Sequence, residues 1–169
     1  TASLRSAADA VKERLGLSEL RRLATVVVDS NDAITVQDLE GKISAWNRGA
    51  ERMYGYTESE ARAMNIQDTI PLSKRQETLK FMKRVLEGKA EVPSFETQRL
   101  TKDGRTLDVW LTVTRLVDEA GKPVEIATTE RDITERKQAE EQIVEEKKNL
   151  EKVNLELDSF VYMASHDMR

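Results

Sequence analysis

After Pro123 the sequence contains neither glycine nor proline, and from Glu135 to Lys152 charged side chains predominate. Nothing in that stretch breaks a helix, and glutamates followed a turn later by lysines support an exposed one. One long helix is therefore expected; if continuous from Thr134 to Arg169, it spans about 54 Å at a rise of about 1.5 Å per residue. Along it Ile143, Leu150, Leu157 and Ala164 recur every seven residues, with Val153 and Phe160 at the alternate seam position. A heptad pattern of this kind belongs to helices that pair along a seam. With the first series at position a, Glu146 and Asp167 fall at d, which suits a dimeric helical bundle better than an isolated two-stranded coil. In the same register His166 lies at position c, off the seam and open to solvent.

Upstream the period changes. Phe95 to Leu100 and Thr106 to Leu116 flank an Asp103-Gly104 turn, and Leu107, Val109, Leu111 and Val113 share one face, as in paired antiparallel strands. Asp118 to Pro123 reads as a turn and Val124 to Ile133 as a last strand. Earlier, Ala33 to Gln37 and Lys42 to Trp46 form a hairpin around Asp38-Leu39-Glu40-Gly41. Between these groups Asn47 caps a short helix reaching Tyr54, and Thr57 with Glu60 makes a capping box. After Pro71, Ser73 with Gln76 makes another capping pair, and Leu79, Met82, Val85 and Leu86 form an apolar helix face that Gly88 ends. Leu4 to Leu23 reads as an N-terminal helix, kinked at Gly16 and continuing toward Val28, and the turn-forming cluster Asp29-Ser30-Asn31-Asp32 ends it.

Composition excludes several functions. The chain has 27 basic and 31 acidic residues, interspersed, for a net charge of −4. That gives no electrostatic footprint for nucleic acid or anionic lipid. Without cysteine there are no disulfides, thiolate metal sites or cysteine nucleophiles, and no metal site is expected. The longest aliphatic run, Val26-Val27-Val28, is far shorter than a membrane span, and no signal peptide opens the chain. A cytoplasmic chain is expected, cut from something longer whose membrane anchor, if it has one, lies upstream.

Four segments then carry a resemblance: Asp38-Leu39-Glu40-Gly41-Lys42-Ile43; Trp46-Asn47-Arg48-Gly49-Ala50-Glu51 with Tyr54-Gly55-Tyr56-Thr57; Lys102-Asp103-Gly104-Arg105; and Arg131-Asp132-Ile133-Thr134-Glu135-Arg136. In this order they resemble a PAS domain, a small sensory module, over about residues 29–134. The resemblance implies an α+β fold: about five antiparallel strands with short helices on one face, flanked by an N-terminal helix and a long C-terminal coiled-coil helix. It divides the chain into an N-terminal signalling helix (1–28), the sensor (29–134), a coiled-coil linker (135–156) and a final segment (157–169). Asp132 and Thr134 stand where the last strand becomes the exit helix. Either could bond the free N–H groups of its first turn, and in PAS proteins this junction passes motion from sheet to helix.

A PAS sheet curls around a pocket, which suggests a small molecule, haem or flavin as input. The only histidine, His166, lies beyond the sheet, so histidine-ligated haem is disfavoured, and the lack of cysteine disfavours an adduct-forming flavin. The ligand stays open between a small apolar or polar metabolite and none at all, the core then acting as a dimerisation and relay module. Leu107, Val109, Leu111 and Val113 with Met53, Tyr54 and Met82 are the candidate pocket walls.

The closing segment Leu157-Asp158-Ser159-Phe160-Val161-Tyr162-Met163-Ala164-Ser165-His166-Asp167-Met168-Arg169 resembles the H-box of sensor histidine kinases, the start of their dimerisation and phosphotransfer domain. The resemblance implies that His166 is the phosphoacceptor and that Asp167 orients its ring or accepts its proton. Imidazole, largely neutral near pH 7, is a competent nucleophile toward a γ-phosphate. A PAS domain and a similar charged helix also precede diguanylate cyclases, where a Leu-Thr-Gly continuation is expected rather than Met168-Arg169, and a PAS plus coiled-coil interaction module upstream of another output is a further alternative. No ATP-positioning motif is present, so this chain alone should not catalyse. ATP and Mg would act in the parent's own ATP-binding domain. The expected partners are that domain, a response-regulator receiver and a second copy of the chain.

Overall fold

The computed structural model describes residues 16–22, 24–88 and 94–168. The expected helix over Leu4 to Leu15, the residues Leu23 and Arg169, and the break at Pro93 lie outside the described residues. The chain divides between Asp132 and Ile133 into two compact units.

In the first unit, helical residues 16–22 and 24–28 (α1) precede strand β1 (Ala33–Asp38), strand β2 (Ile43–Trp46), helices α2 (Arg48–Tyr54) and α3 (Glu58–Arg62), a 3₁₀ turn (Ile66–Thr69) and helix α4 (Leu72–Leu86). Strands β3 (Phe95–Leu100), β4 (Thr106–Val117) and β5 (Pro123–Asp132) follow. All pairings are antiparallel and the sheet order is β2-β1-β5-β4-β3, so the last strand lies at the centre beside the first. This is the expected five-stranded α+β fold.

Alternation decides which face of the sheet is covered. Leu107, Val109, Leu111 and Val113 of β4 are buried, whereas Thr106, Trp110 and Thr114 face the other way and are exposed. On the covered side one apolar cluster gathers Ala33, Ile43, Trp46, Ala50, Tyr54, Ala61 and Ile66. A second joins Val85 to Leu111, Val113 and Ile126, with Phe81, Met82, Leu86 and Phe95 packed against it. Each fully buried aliphatic side chain contributes roughly 1.5–3 kcal/mol.

Local chemistry sets the helices. Asn47 caps α2 by accepting from the Ala50 N–H, and the Thr57–Glu60 capping box forms in both directions. The expected Ser73–Gln76 cap does not form. The N-cap of α4 is Pro71, whose ring holds φ at −53°, so the helix starts at Leu72 and encloses both residues. Its covered face is Phe81, Met82, Val85 and Leu86, with Leu79 exposed. Proline also opens β5, so Pro123 belongs to the strand rather than to the turn before it. Two glycines are sterically required. Gly41 holds φ +88° against the Asn65 side chain, and a Cβ on Gly49 would fall 2.2 Å from the Asp32 carbonyl oxygen.

In the second unit, helix α5 (Thr134–Asp167) has 34 residues and no internal break, about 51 Å at about 1.5 Å per residue. From Gln138 to Met168 every side chain is exposed.

Candidate functional site

Two features carry chemistry: a cavity inside the first unit and the end of α5.

The cavity, of about 90 Å³, is bounded by α4 and by the covered face of the sheet. Ile66, Ile70, Phe81, Met82, Leu111, Val113 and Ile126 supply apolar walls, and Gln37, Arg99 and Thr128 bring polar groups. Pockets for drug-sized ligands occupy about 300–1,000 Å³, while an apolar hole of about 150 Å³ takes benzene. The space fits a few non-hydrogen atoms. Of the candidate walls, Leu111, Val113 and Met82 border it. Leu107, Val109, Met53 and Tyr54 do not: Tyr54 belongs to the first apolar cluster, with Met53 packed against it, and Leu107 and Val109 lie further along β4.

Behind the polar wall runs a buried hydrogen-bonded chain. The Thr128 hydroxyl donates to Glu130 Oε1 at 3.0 Å. The Thr35 hydroxyl lies 2.7 Å from that of Thr128 and 3.3 Å from Gln37 Oε1, extending the chain into β1. The Tyr54 hydroxyl donates to the other Glu130 oxygen, and Arg99 Nε lies 3.3 Å from that same oxygen. Glu130 is wholly buried and the Arg99 side chain only 4% exposed. Despite the ion-pair distance, the Arg99 Nε–H is not aimed at the carboxylate, and it has no aligned acceptor.

The cluster's electrostatics follow from its enclosure. Burial, reinforced by the Glu130 charge, pushes the Tyr54 phenol well above its ordinary range, so it acts only as a neutral donor. Burial alone would pull Arg99 down, but Glu130 and the phenol outweigh it and Arg99 stays charged. None of this cluster except Tyr54 was singled out from sequence. The signal was there: Thr128 and Glu130 sit two residues apart on the register of Ile126, and Arg99 shares that of Phe95. Polar side chains on an apolar register are buried and need partners.

In the second unit, His166 and Asp167 are exposed in the last turn of α5. Ile143, Leu150, Val153, Leu157 and Phe160 are all more than half exposed. Around Leu155 to Met163 the apolar residues spread beyond the seam to Leu155, Val161, Tyr162 and Met163. At the start of the helix the N-cap is Ile133, with no side-chain cap hydrogen bond, so neither Asp132 nor Thr134 occupies that position. Among the described residues no group of acidic and histidine side chains is arranged to hold a metal ion, and no helix is long and apolar enough to cross a membrane.

Residues 28–138 match a family model described as PAS fold. No curated protein matches the chain. Among solved structures, a PAS domain from Colwellia psychrerythraea superimposes with a TM-score of 0.65 at 26% identity, covering 69% of this chain and 98% of its own. A domain of a sensory box sensor histidine kinase/response regulator from Geobacter sulfurreducens gives 0.56 at 20% identity, covering 68% and 94%. A sensory box histidine kinase/response regulator from Burkholderia thailandensis gives 0.58 at 19%, covering 78% and 98%.

Proposed function

The chain belongs to the PAS-fold family, and from that premise we propose that it is the sensory and dimerisation region of a two-component sensor histidine kinase, relaying the state of its sensor along α5 to the phosphoacceptor His166. The observation that carries this reading is α5 itself, an unbroken helix with an exposed heptad seam and an exposed His166-Asp167 pair in its last turn. An apolar seam left in water is costly, and a second copy of the chain would cover it. The wider apolar girdle near Tyr162 suits a bundle with neighbours on more than one side. Several PAS domains of similar fold come from sensor histidine kinases, which agrees with this context.

In the reaction an imidazole nitrogen of His166 attacks the γ-phosphorus of ATP, the bond to the β-phosphate oxygen breaks, and ADP leaves. The proton on the other ring nitrogen passes to a carboxylate, for which Asp167 stands adjacent. ATP and Mg act from the parent's ATP-binding domain, and the phosphoryl group then moves to an aspartate of a response-regulator receiver.

The test is incubation of the full-length parent with γ-labelled ATP. Wild type should carry an acid-labile, base-stable label, and His166→Ala should abolish it. Label that persists in the variant, or a cyclic dinucleotide product formed from GTP, would overturn the assignment.

A further inference from the structure

We propose that the cavity beside Arg99 binds a small neutral molecule with an apolar body and one hydrogen-bond-accepting group, such as a short-chain ketone, with Arg99 Nε–H as the donor. The inference rests on the sensory reading above and names the class of ligand that reading leaves open.

Three observations restrict the ligand. The Arg99 side chain is almost fully buried, borders the cavity, and keeps an N–H with no aligned acceptor. A buried donor without an acceptor is unfavourable, and an incoming carbonyl oxygen would satisfy it. The charge of Arg99 is already balanced by Glu130 at 3.3 Å. An anion would therefore set a second negative charge beside the already balanced Arg99–Glu130 pair, and a cation would meet the guanidinium. Ile70, Phe81, Leu111, Val113 and Ile126 supply apolar contact for the body of the ligand, although Asp38, Glu40, Gln67, Arg75 and Thr78 also border the space, and a volume of about 90 Å³ limits the ligand to a few heavy atoms. Water alone would satisfy Arg99 but gain nothing from those walls.

The same contact suggests how occupancy is read. Glu130 lies on β5, two residues before that strand ends at Asp132, and it accepts from Tyr54 of α2 and Thr128 of β5. A ligand acceptor that draws the Arg99 guanidinium toward the cavity changes its 3.3 Å ion-pair contact with Glu130 in the central strand.

The experiment titrates the intact chain with three molecules of matched size, butanone, propionate and propylammonium, following the Arg99 Nε–H and the Val113 and Ile126 methyl resonances by NMR. Butanone should shift all three saturably in the millimolar range, at least tenfold more tightly than either ion. Val113→Phe, which puts a larger side chain into the cavity and leaves both Arg99 and Glu130 in the chain, should abolish saturation while keeping the folded spectrum. Equal or tighter binding of propionate overturns the neutral-ligand assignment. No saturable shift with butanone overturns the proposal as a whole and leaves a cavity holding water only. His166 labelling in the parent is read separately, so binding without label would sink the kinase reading alone, and label without binding would sink this one alone.

Discussion

The side-chain nitrogen of Asn47 donates to the Val27 carbonyl at 2.9 Å, joining the end of α1 to the cap of α2. The same nitrogen donates to the Asp32 carbonyl at 3.0 Å, and the amide oxygen accepts from the Ile34 and Ala50 N–H groups, each at 2.8 Å. Two donors and two lone pairs are all that an amide side chain has. One residue thus ties α1, the 29–32 turn, β1 and α2 together.

Asn47→Asp keeps both acceptors but replaces the NH₂ with an anionic oxygen facing two carbonyls. Its destabilisation should be about 2–4 kcal/mol, larger than the roughly 1 kcal/mol of losing a simple cap. Denaturant unfolding measures this, and limited proteolysis should cut faster within residues 24–28. A change below about 0.5 kcal/mol would mean that the two donor contacts contribute nothing.

A second tie to the same turn is pH-sensitive. Arg131 of β5 forks onto Asp32, with Nε and Nη2 donating at 2.9 and 2.8 Å. The hydrogen bond from Arg131 holds the Asp32 carboxyl below its usual value; partial burial opposes this and the guanidinium charge adds to it. Because the folded value lies below the unfolded one of about 3.9, the pair's contribution is fully present above that pH and disappears as pH falls through the folded value. Arg131 is largely exposed, so Arg131→Ala should cost no more than about 1 kcal/mol at pH 7. Melting curves of wild type and variant should converge as pH falls through the folded Asp32 value. A gap that persists at the lowest pH would assign the effect to packing of the Arg131 stem.

How much of this was legible in sequence depended on the range of the interaction. Strand alternation in β4, the Asn47 and Thr57 caps and the uninterrupted α5 are local, and the PAS architecture followed from their order. The Ser73 cap failed because Pro71 starts the helix two residues sooner, a backbone constraint that a side-chain pattern does not display. The polar cluster was missed because its members, Thr35, Tyr54, Arg99 and Glu130, are far apart in the chain and meet only when β5 inserts between β1 and β4. Asn47 was legible as a cap, but its bond to Val27, twenty positions away, was not.

That cluster should behave as a unit. Glu130→Gln removes the charge facing Arg99 and leaves a guanidinium buried without compensation, so it should cost about 3–5 kcal/mol, a large share of the roughly 5–15 kcal/mol that holds a domain folded. Replacing the pair with apolar residues of similar volume, Arg99→Met with Glu130→Leu, removes both charges but strands the hydroxyls of Tyr54 and Thr128, each at about 1–3 kcal/mol. Adding Tyr54→Phe and Thr128→Val removes those orphans too. The quadruple variant should therefore be more stable than Glu130→Gln alone although it loses every polar side-chain contact that Glu130 makes. Urea unfolding of the single, double and quadruple variants supplies the comparison. If the losses simply add, Arg99, Glu130 and Tyr54 act as independent residues and their mutual compensation is not what keeps the buried charges tolerable.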